Sequence, residues 1–224
     1  MLQDVYLRYR GGCMKLFCLV EGELTFMGTA FLAHQDGYLL TVAHILYKTE
    51  PLMVTSADFS EEFTPGLVNT LTAMPVNVVA MDKEHDLALL KFDESLELNL
   101  PDHVMGRPDE APVGSTAACI GFPYGFYNVF NQAIQGFVLS AKIISRNETR
   151  LLLFDATVQE GMRGGPLVNA SDGRIIGVVA GRFDPEEAGP GNFRQEPTAA
   201  LSLSYAISSE YAVALLESQG VEVI

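Results

Sequence analysis

Short apolar runs alternate with clusters of Gly, Asp, Asn and Pro along the chain. The first three are Met14–Val20, Phe26–Ala33 and Tyr38–Ala43. Glu21-Gly22-Glu23 separates the first two, and His34-Gln35-Asp36-Gly37 separates the second from the third. The Asp-Gly ending of that second break is a hairpin signal. Later runs are Val76–Ala80, Leu87–Phe92, Thr116–Ile120, Gly136–Ile144, Leu151–Ala156 and Ile175–Ala180. Strands this short and this regularly spaced predict a sandwich or a barrel.

Two stretches read as loops. Glu50–Thr72 mixes Pro, Ser, Asp and Gly, with room for one strand near Leu52–Thr55. Phe183–Pro197 carries Pro185, Gly189, Pro190, Gly191 and Pro197 and little that is apolar, and a loop of that length is often functional or disordered. The pattern predicts a helix only at the end, over about 208–219. Ser208 or Ser209 caps it, Glu210 suits the dipole of its first turn, and Val213, Leu216 and Tyr211 supply an apolar face before Gly220 stops it. With no internal repeat, low-complexity tract or linker, residues 1–224 read as one domain of two packed β lobes, about 1–100 and 112–207.

Composition narrows this only slightly. A chain of 224 residues suits a single all-β double barrel with a substantial core. With 48% hydrophobic and 19% charged residues it reads as soluble and globular. A formal net charge of −14 argues against nucleic acid and anionic membrane as partners, because both need Lys and Arg. Cys13, Cys18 and Cys119 are odd in number and form no CxxC pair, so neither a disulfide framework nor a zinc site is expected; they read as small buried hydrophobes. No metal and no cofactor is expected. Leu16-Phe17-Cys18-Leu19-Val20 is too short for a signal peptide and is followed by Glu21, and no run reaches the length of a membrane span. The chain reads as cytoplasmic as given; a trimmed mature form of a periplasmic or secreted protein would look the same.

Three segments carry candidate chemistry together. Thr41-Val42-Ala43-His44 is an apolar strand ending in a His. His85-Asp86-Leu87-Ala88-Leu89-Leu90-Lys91 places an Asp just before a strand. Gly161-Met162-Arg163-Gly164-Gly165-Pro166-Leu167-Val168-Asn169 is a glycine-rich turn leading into another apolar stretch. Each is weak alone: a His at a strand end is more often structural, an Asp before a strand is usually a turn residue, and Gly-Gly-Pro is usually just a turn. Their joint order is specific, and the separations of 42 and 77 residues suit a two-barrel enzyme whose site lies between the lobes.

On these residues the chain resembles the trypsin-like (chymotrypsin-fold) serine peptidases, and most of all the Deg/HtrA-type protease domain of bacteria. The likeness runs from about Gly28 to Ala214. It takes in Gly28-Thr29-Ala30-Phe31-Leu32, Ile120-Gly121-Phe122-Pro123-Tyr124-Gly125, Gly136-Phe137-Val138-Leu139-Ser140-Ala141, Ile175-Ile176-Gly177-Val178 and Tyr205-Ala206-Ile207-Ser208. The resemblance implies two packed six-stranded antiparallel β-barrels with a C-terminal helix. The PDZ domain that often follows in Deg proteins is not expected, since the chain ends at Ile224.

The departure lies at the nucleophile. Where the family reads Gly-x-Ser-Gly-Gly-Pro, this chain has Arg163. By the resemblance His44 matches the general base, Asp86 the carboxylate that orients it, and the amides of Gly161 and Arg163 the oxyanion hole. The mechanism needs a hydroxyl whose proton the His can take, and guanidinium is always protonated and has no nucleophilic lone pair. Ser140, Ser145, Ser171 and Cys119 do not lie at the turn that presents the nucleophile. The strand Val178-Val179-Ala180-Gly181-Arg182 matches the wall of the primary specificity pocket, where substrate backbone pairs by strand addition. Thr157 is expected at the pocket floor, with Ala180 and Gly181 small enough for a peptide to approach and Arg182 at the mouth. The dead site is then expected to hold a carboxylate: Asp86, an acid of Asp184–Glu187, or a partner's acidic group. The bland alternatives are that His44 and Asp86 are a packing pair and that the strand is ordinary core.

Three functions follow: an inactive homologue that binds a peptide or protein in the cleft, an active endopeptidase whose serine is altered in this chain, or a structural protein using another surface. Partner identity and oligomeric state stay open.

Overall fold

The computed structural model describes residues 1–46, 50–57, 63, 66, 71–93, 98, 100, 104–183 and 203–223. The first closed barrel comprises β1 (Cys13–Val20), β2 (Glu23–His34), β3 (Tyr38–Val42), β4 (Leu52–Thr55), β5 (Met74–Asp82) and β6 (Leu87–Phe92), in the order β1-β2-β3-β6-β5-β4. The second comprises β7 (Thr116–Gly121), β8 (Ala133–Ile144), β9 (Arg150–Phe154), β10 (Pro166–Asn169), β11 (Ile175–Arg182) and β12 (Ser204–Ser208), in the order β10-β11-β12-β9-β8-β7. All pairings are antiparallel. Cys18 opposite Leu52 closes the first barrel and Leu167 opposite Cys119 closes the second. Closure pairs the edge amides that an open sheet would leave exposed.

The apolar runs become strands because closure gives each an inward face. Leu16, Phe31, Leu40, Leu87 and Leu89 are buried in the first barrel. In the second, Phe137 and Phe154 stack with centroids 4.2 Å apart, beside Leu139, Leu152 and Leu167. At the β2–β3 turn Gly37 adopts φ 82°, as the Asp-Gly signal predicts. The expected strand at Leu52–Thr55 is β4; most of the rest of the two predicted loops, including Asp184–Glu187, lies outside the described residues.

Among the described residues two α-helices flank the barrels. The terminal helix, α2, spans Ser209–Glu217, with Ala212, Leu215 and Leu216 buried and Tyr211 and Val213 packed at the margin. Ser208 occupies its N-cap position without a capping bond, and the Ser209 hydroxyl donates to the Gly106 carbonyl at 2.8 Å. The helix α1 (Leu2–Tyr9) was not expected from the pattern. Only Val5 and Tyr9 are buried on it, four residues apart on one face, and the Tyr9 hydroxyl donates to the Gly173 carbonyl. A helix so short is held by docking rather than by propensity, which is why its own sequence gives little sign of it.

The three cysteines are buried free thiols. Burial, with Cys119 nearby, pushes the Cys13 thiol well above its ordinary range, and burial raises that of Cys119 to about 12. Thiols held in this protonated form are inert.

Candidate active site

His44 sits in a single 3-10 turn, Ala43–Ile45, at the end of β3. Sheet pairing bridges the 42 residues between it and Asp86, because Val42 lies opposite Leu87. The Ala43 amide donates to the Asp86 carbonyl at 3.0 Å. Asp86 takes the left-handed φ of 57°, which turns its carboxylate back to the strand end. One oxygen accepts from the His44 amide at 2.7 Å and the other lies 2.6 Å from His44 Nδ1. This fixes the ring and directs its second nitrogen away from the carboxylate, an arrangement that suits a general base.

Arg163 ends a run of tight turns. The Met162 amide donates to the Gln159 carbonyl at 3.0 Å, that of Arg163 to Glu160 at 3.1 Å, and that of Gly165 to Met162 at 3.1 Å. Thr29 of β2 ties this turn to the first barrel: its amide donates to the Arg163 carbonyl at 2.9 Å and its hydroxyl to the Gly161 carbonyl at 2.7 Å. The Gly164 amide donates to the Val179 carbonyl of β11 at 2.8 Å. A side chain at position 161 is excluded, since a Cβ there would lie 2.0 Å from the Phe122 carbonyl oxygen. Of the two amides expected to form the oxyanion hole, that of Arg163 is turned onto Glu160.

The Arg163 side chain leaves the turn toward β11 and lies against Gly181. Its ion-pair partner among the described residues is Glu160, at 3.8 Å and exposed, rather than Asp86. Ala180 and Gly181 are buried, while Arg182 is exposed and paired in register with Ser204. Thr157 is exposed, between β9 and the turn that carries Gly161. The structure thus brings together His44 with Asp86, and Arg163 with Gly181.

A second Asp–His pair escaped the sequence reading. Asp82 lies 2.6 Å from His85 Nδ1 and accepts from the amides of Glu84 and His85 at 3.1 and 3.0 Å. The His85 ring stacks on Tyr211 of α2 with centroids 3.8 Å apart and planes at 15°. Burial raises the Asp82 pKa, but the amide and imidazole of His85, its charge and the Glu84 amide outweigh that and hold it below its ordinary value. The spacing Asp82-x-x-His85 was a visible signal, masked by the neighbouring Asp86.

A family model described as a trypsin-like peptidase domain matches residues 28–178. A "Probable periplasmic serine endoprotease DegP-like" of Chlamydia pneumoniae is 33% identical over 157 residues, covering 67% of this chain and 28% of the relative. One of the same name from Ectopseudomonas mendocina is 27% identical over 200 residues, covering 88% of this chain and 36% of the relative. The chain therefore spans only 28% and 36% of the length of these two relatives. Among solved structures, "HtrA-type protease AlgW with tripeptide" matches in fold with TM-score 0.70 and 23% identity, over 97% of this chain and 63% of that one.

Proposed function

We propose, from the premise that this chain belongs to the trypsin-like peptidase domain family, that it is a member without peptidase activity, and that the cleft between its barrels holds a peptide or protein partner. The observation that carries this reading is Arg163. It stands where the nucleophile would be, and its guanidinium covers Gly181, on the strand expected to pair with substrate. A permanent cation cannot attack a carbonyl, and it occupies the space where one would sit. The amide of Arg163 is also engaged by Glu160, which removes a donor from a developing oxyanion. What is left is a cleft with a cation beside the end of β11, suited to recognition and not to cleavage.

The intact pairing of His44 with Asp86 favours a second reading, in which the chain is a serine endopeptidase altered at one position. One experiment decides between them. The chain and Arg163→Ser are compared on casein and with a fluorophosphonate probe. The chain is expected neither to hydrolyse casein nor to become labelled; a labelled residue in it would overturn the proposal. Activity gained by Arg163→Ser would show that the loss is confined to that side chain.

The names of the relatives favour a periplasmic location over the cytoplasmic one. No helix among the described residues is long and apolar enough to cross a membrane. The acidic balance of the chain supports a protein partner over nucleic acid.

A further inference from the structure

The two flanks of β11 end differently. Toward β12 the pairing runs on to Gly181 opposite Tyr205 and Arg182 opposite Ser204. Toward β10 the register stops at Val178 opposite Pro166. The last bonds on that side join Val179 to Gly164 at 2.8 Å and to Gly165 at 2.9 Å. Beside Gly181 and Arg182 no described strand continues the line of β10.

A cation stands there instead. The main chain leaves the line of β10 at Gly164, whose φ is 85°, and the Arg163 carbonyl turns to accept from the Thr29 amide of β2. Only the Arg163 side chain stays beside β11, against Gly181. Neither β11 nor β12 brings an acid to it. Its one ion pair among the described residues is with Glu160, at 3.8 Å, and the Glu160 side chain is 73% exposed. So loose and wet a pair yields easily to a better-placed carboxylate.

Chain direction decides what such a carboxylate belongs to. Both neighbours of β11 run antiparallel to it. A peptide added in line with β10 shares the direction of β10, so its last residue is the one that reaches Gly181. It cannot continue along the strand, because Gly164 and Gly165 already hold Val179. The peptide therefore ends or turns away beside Arg163. A peptide that turns away brings only neutral amides and leaves the guanidinium with Glu160 alone. A peptide of the opposite direction would set an N-terminal ammonium against a second cation. A peptide that ends brings a carboxylate, which the planar fork of an Arg meets with two parallel hydrogen bonds. We propose that the end of β11 binds the C-terminal carboxylate of a polypeptide, with Arg163 as the residue that selects it. This rests on the reading of the chain as a peptide-binding protein.

The test uses three pools of N-terminally fluorescent hexapeptides, random over the neutral amino acids at the first five positions. One pool ends in alanine with a free carboxylate, one in alanine amide and one in glutamate amide. Affinity is read by anisotropy on the full chain. The carboxylate pool is expected to bind about 10-fold more tightly than the alanine amide pool, the size of one charge-assisted hydrogen bond. Arg163→Gln abolishes that advantage, and Arg163→Lys, which keeps the charge without the fork, keeps part of it. Backbone bonds hold the turn, so both variants are expected to unfold at the parent's midpoint. Equal affinity for the carboxylate and alanine amide pools overturns the proposal and leaves the peptide-binding reading standing, as does an advantage that survives Arg163→Gln. A glutamate amide pool that binds as tightly as the carboxylate pool assigns the anion to a side chain and overturns the chain end. If no pool binds, the peptide-binding reading fails, and N-acetyl-alanine and its amide then decide the site alone through the NMR signal of the Arg163 Nε–H. A shift with the acid and not with the amide supports a carboxylate site; no shift, or the same shift with both, overturns it.

Discussion

The Arg163 guanidinium lies against Gly181: a Cβ on that glycine would meet Nε at 3.3 Å and Cζ at 3.8 Å. The cation thus rests on the strand that would receive a peptide, with only exposed Glu160 as a loose counter-ion among the described residues, at 3.8 Å. A loose pair at a surface contributes little, so the charge remains available to a ligand. Arg163→Ala should therefore act in opposite directions on two peptides. An acidic peptide should lose about 10-fold in affinity with the charge, while a neutral one should gain as Gly181 is uncovered. Anisotropy titrations at two salt concentrations check this, and the acidic peptide's advantage should shrink as salt rises.

The turn that presents Arg163 has no room for change. Gly164 adopts φ 85°, and a Cβ there would lie 2.1 Å from the Thr29 carbonyl oxygen and 2.2 Å from the Thr41 hydroxyl. Gly114 has a similar φ of 93° but nothing within 4 Å of its Cβ position. Gly114→Ala should thus show the backbone cost alone, about 1–2 kcal/mol. Gly164→Ala adds a collision with backbone and should lose about 3 kcal/mol or more. Urea unfolding of the two variants measures the difference.

The barrels were legible because they are built from many short apolar strands with turns between them, and these are written as runs such as Leu87–Phe92, buried at nearly every position. His44 and Asp86 were legible because each sits at a strand end that the register brings together. What the sequence did not disclose depends on contacts between distant segments. The helix Leu2–Tyr9 exists by docking on the second barrel. The direction of the Arg163 side chain follows from how Thr29 pins the turn, and the choice of Glu160 over Asp86 as its neighbour is a matter of three-residue turn geometry. Asp82 did not stand out, because its partner His85 is held by a contact from afar, stacked on a tyrosine more than a hundred residues away.

Asp82 should leave a mark on the pH dependence of stability. Its folded pKa lies below the ordinary 3.8. The unfolded chain therefore binds the proton more readily. The stabilisation is fully present above about 3.8 and is lost as pH falls through the lower folded value. Asp82→Asn should be less stable than the parent at neutral pH, and the gap between them should close in acid. Thermal midpoints of both proteins between neutral pH and pH 2.5 test this; a gap that stays constant with pH would exclude a role for the carboxylate charge.

Tyr211 does two separable jobs, one on the turn that carries His85 and one on the turn between β8 and β9. Its ring stacks on His85, while its hydroxyl accepts from the Arg150 amide at 3.0 Å and donates to the Glu148 carbonyl at 3.3 Å. Tyr211→Phe keeps the ring and gives up bonds at an exposed strand end, where water replaces them, so it should cost about 0.5–1 kcal/mol. Tyr211→Ala also removes the stack and the burial it brings, and should cost about 2–3 kcal/mol in all. The larger effect carries a second signature. With its face uncovered, His85 is held less firmly against Asp82, and the Asp82 carboxyl should titrate closer to its ordinary value in Tyr211→Ala but not in Tyr211→Phe. NMR titration of the Asp82 side chain in both variants separates a loss of packing from a loss of the held imidazole: a carboxyl that titrates alike in the two would show that the stack steadies α2 and does nothing for the Asp–His pair.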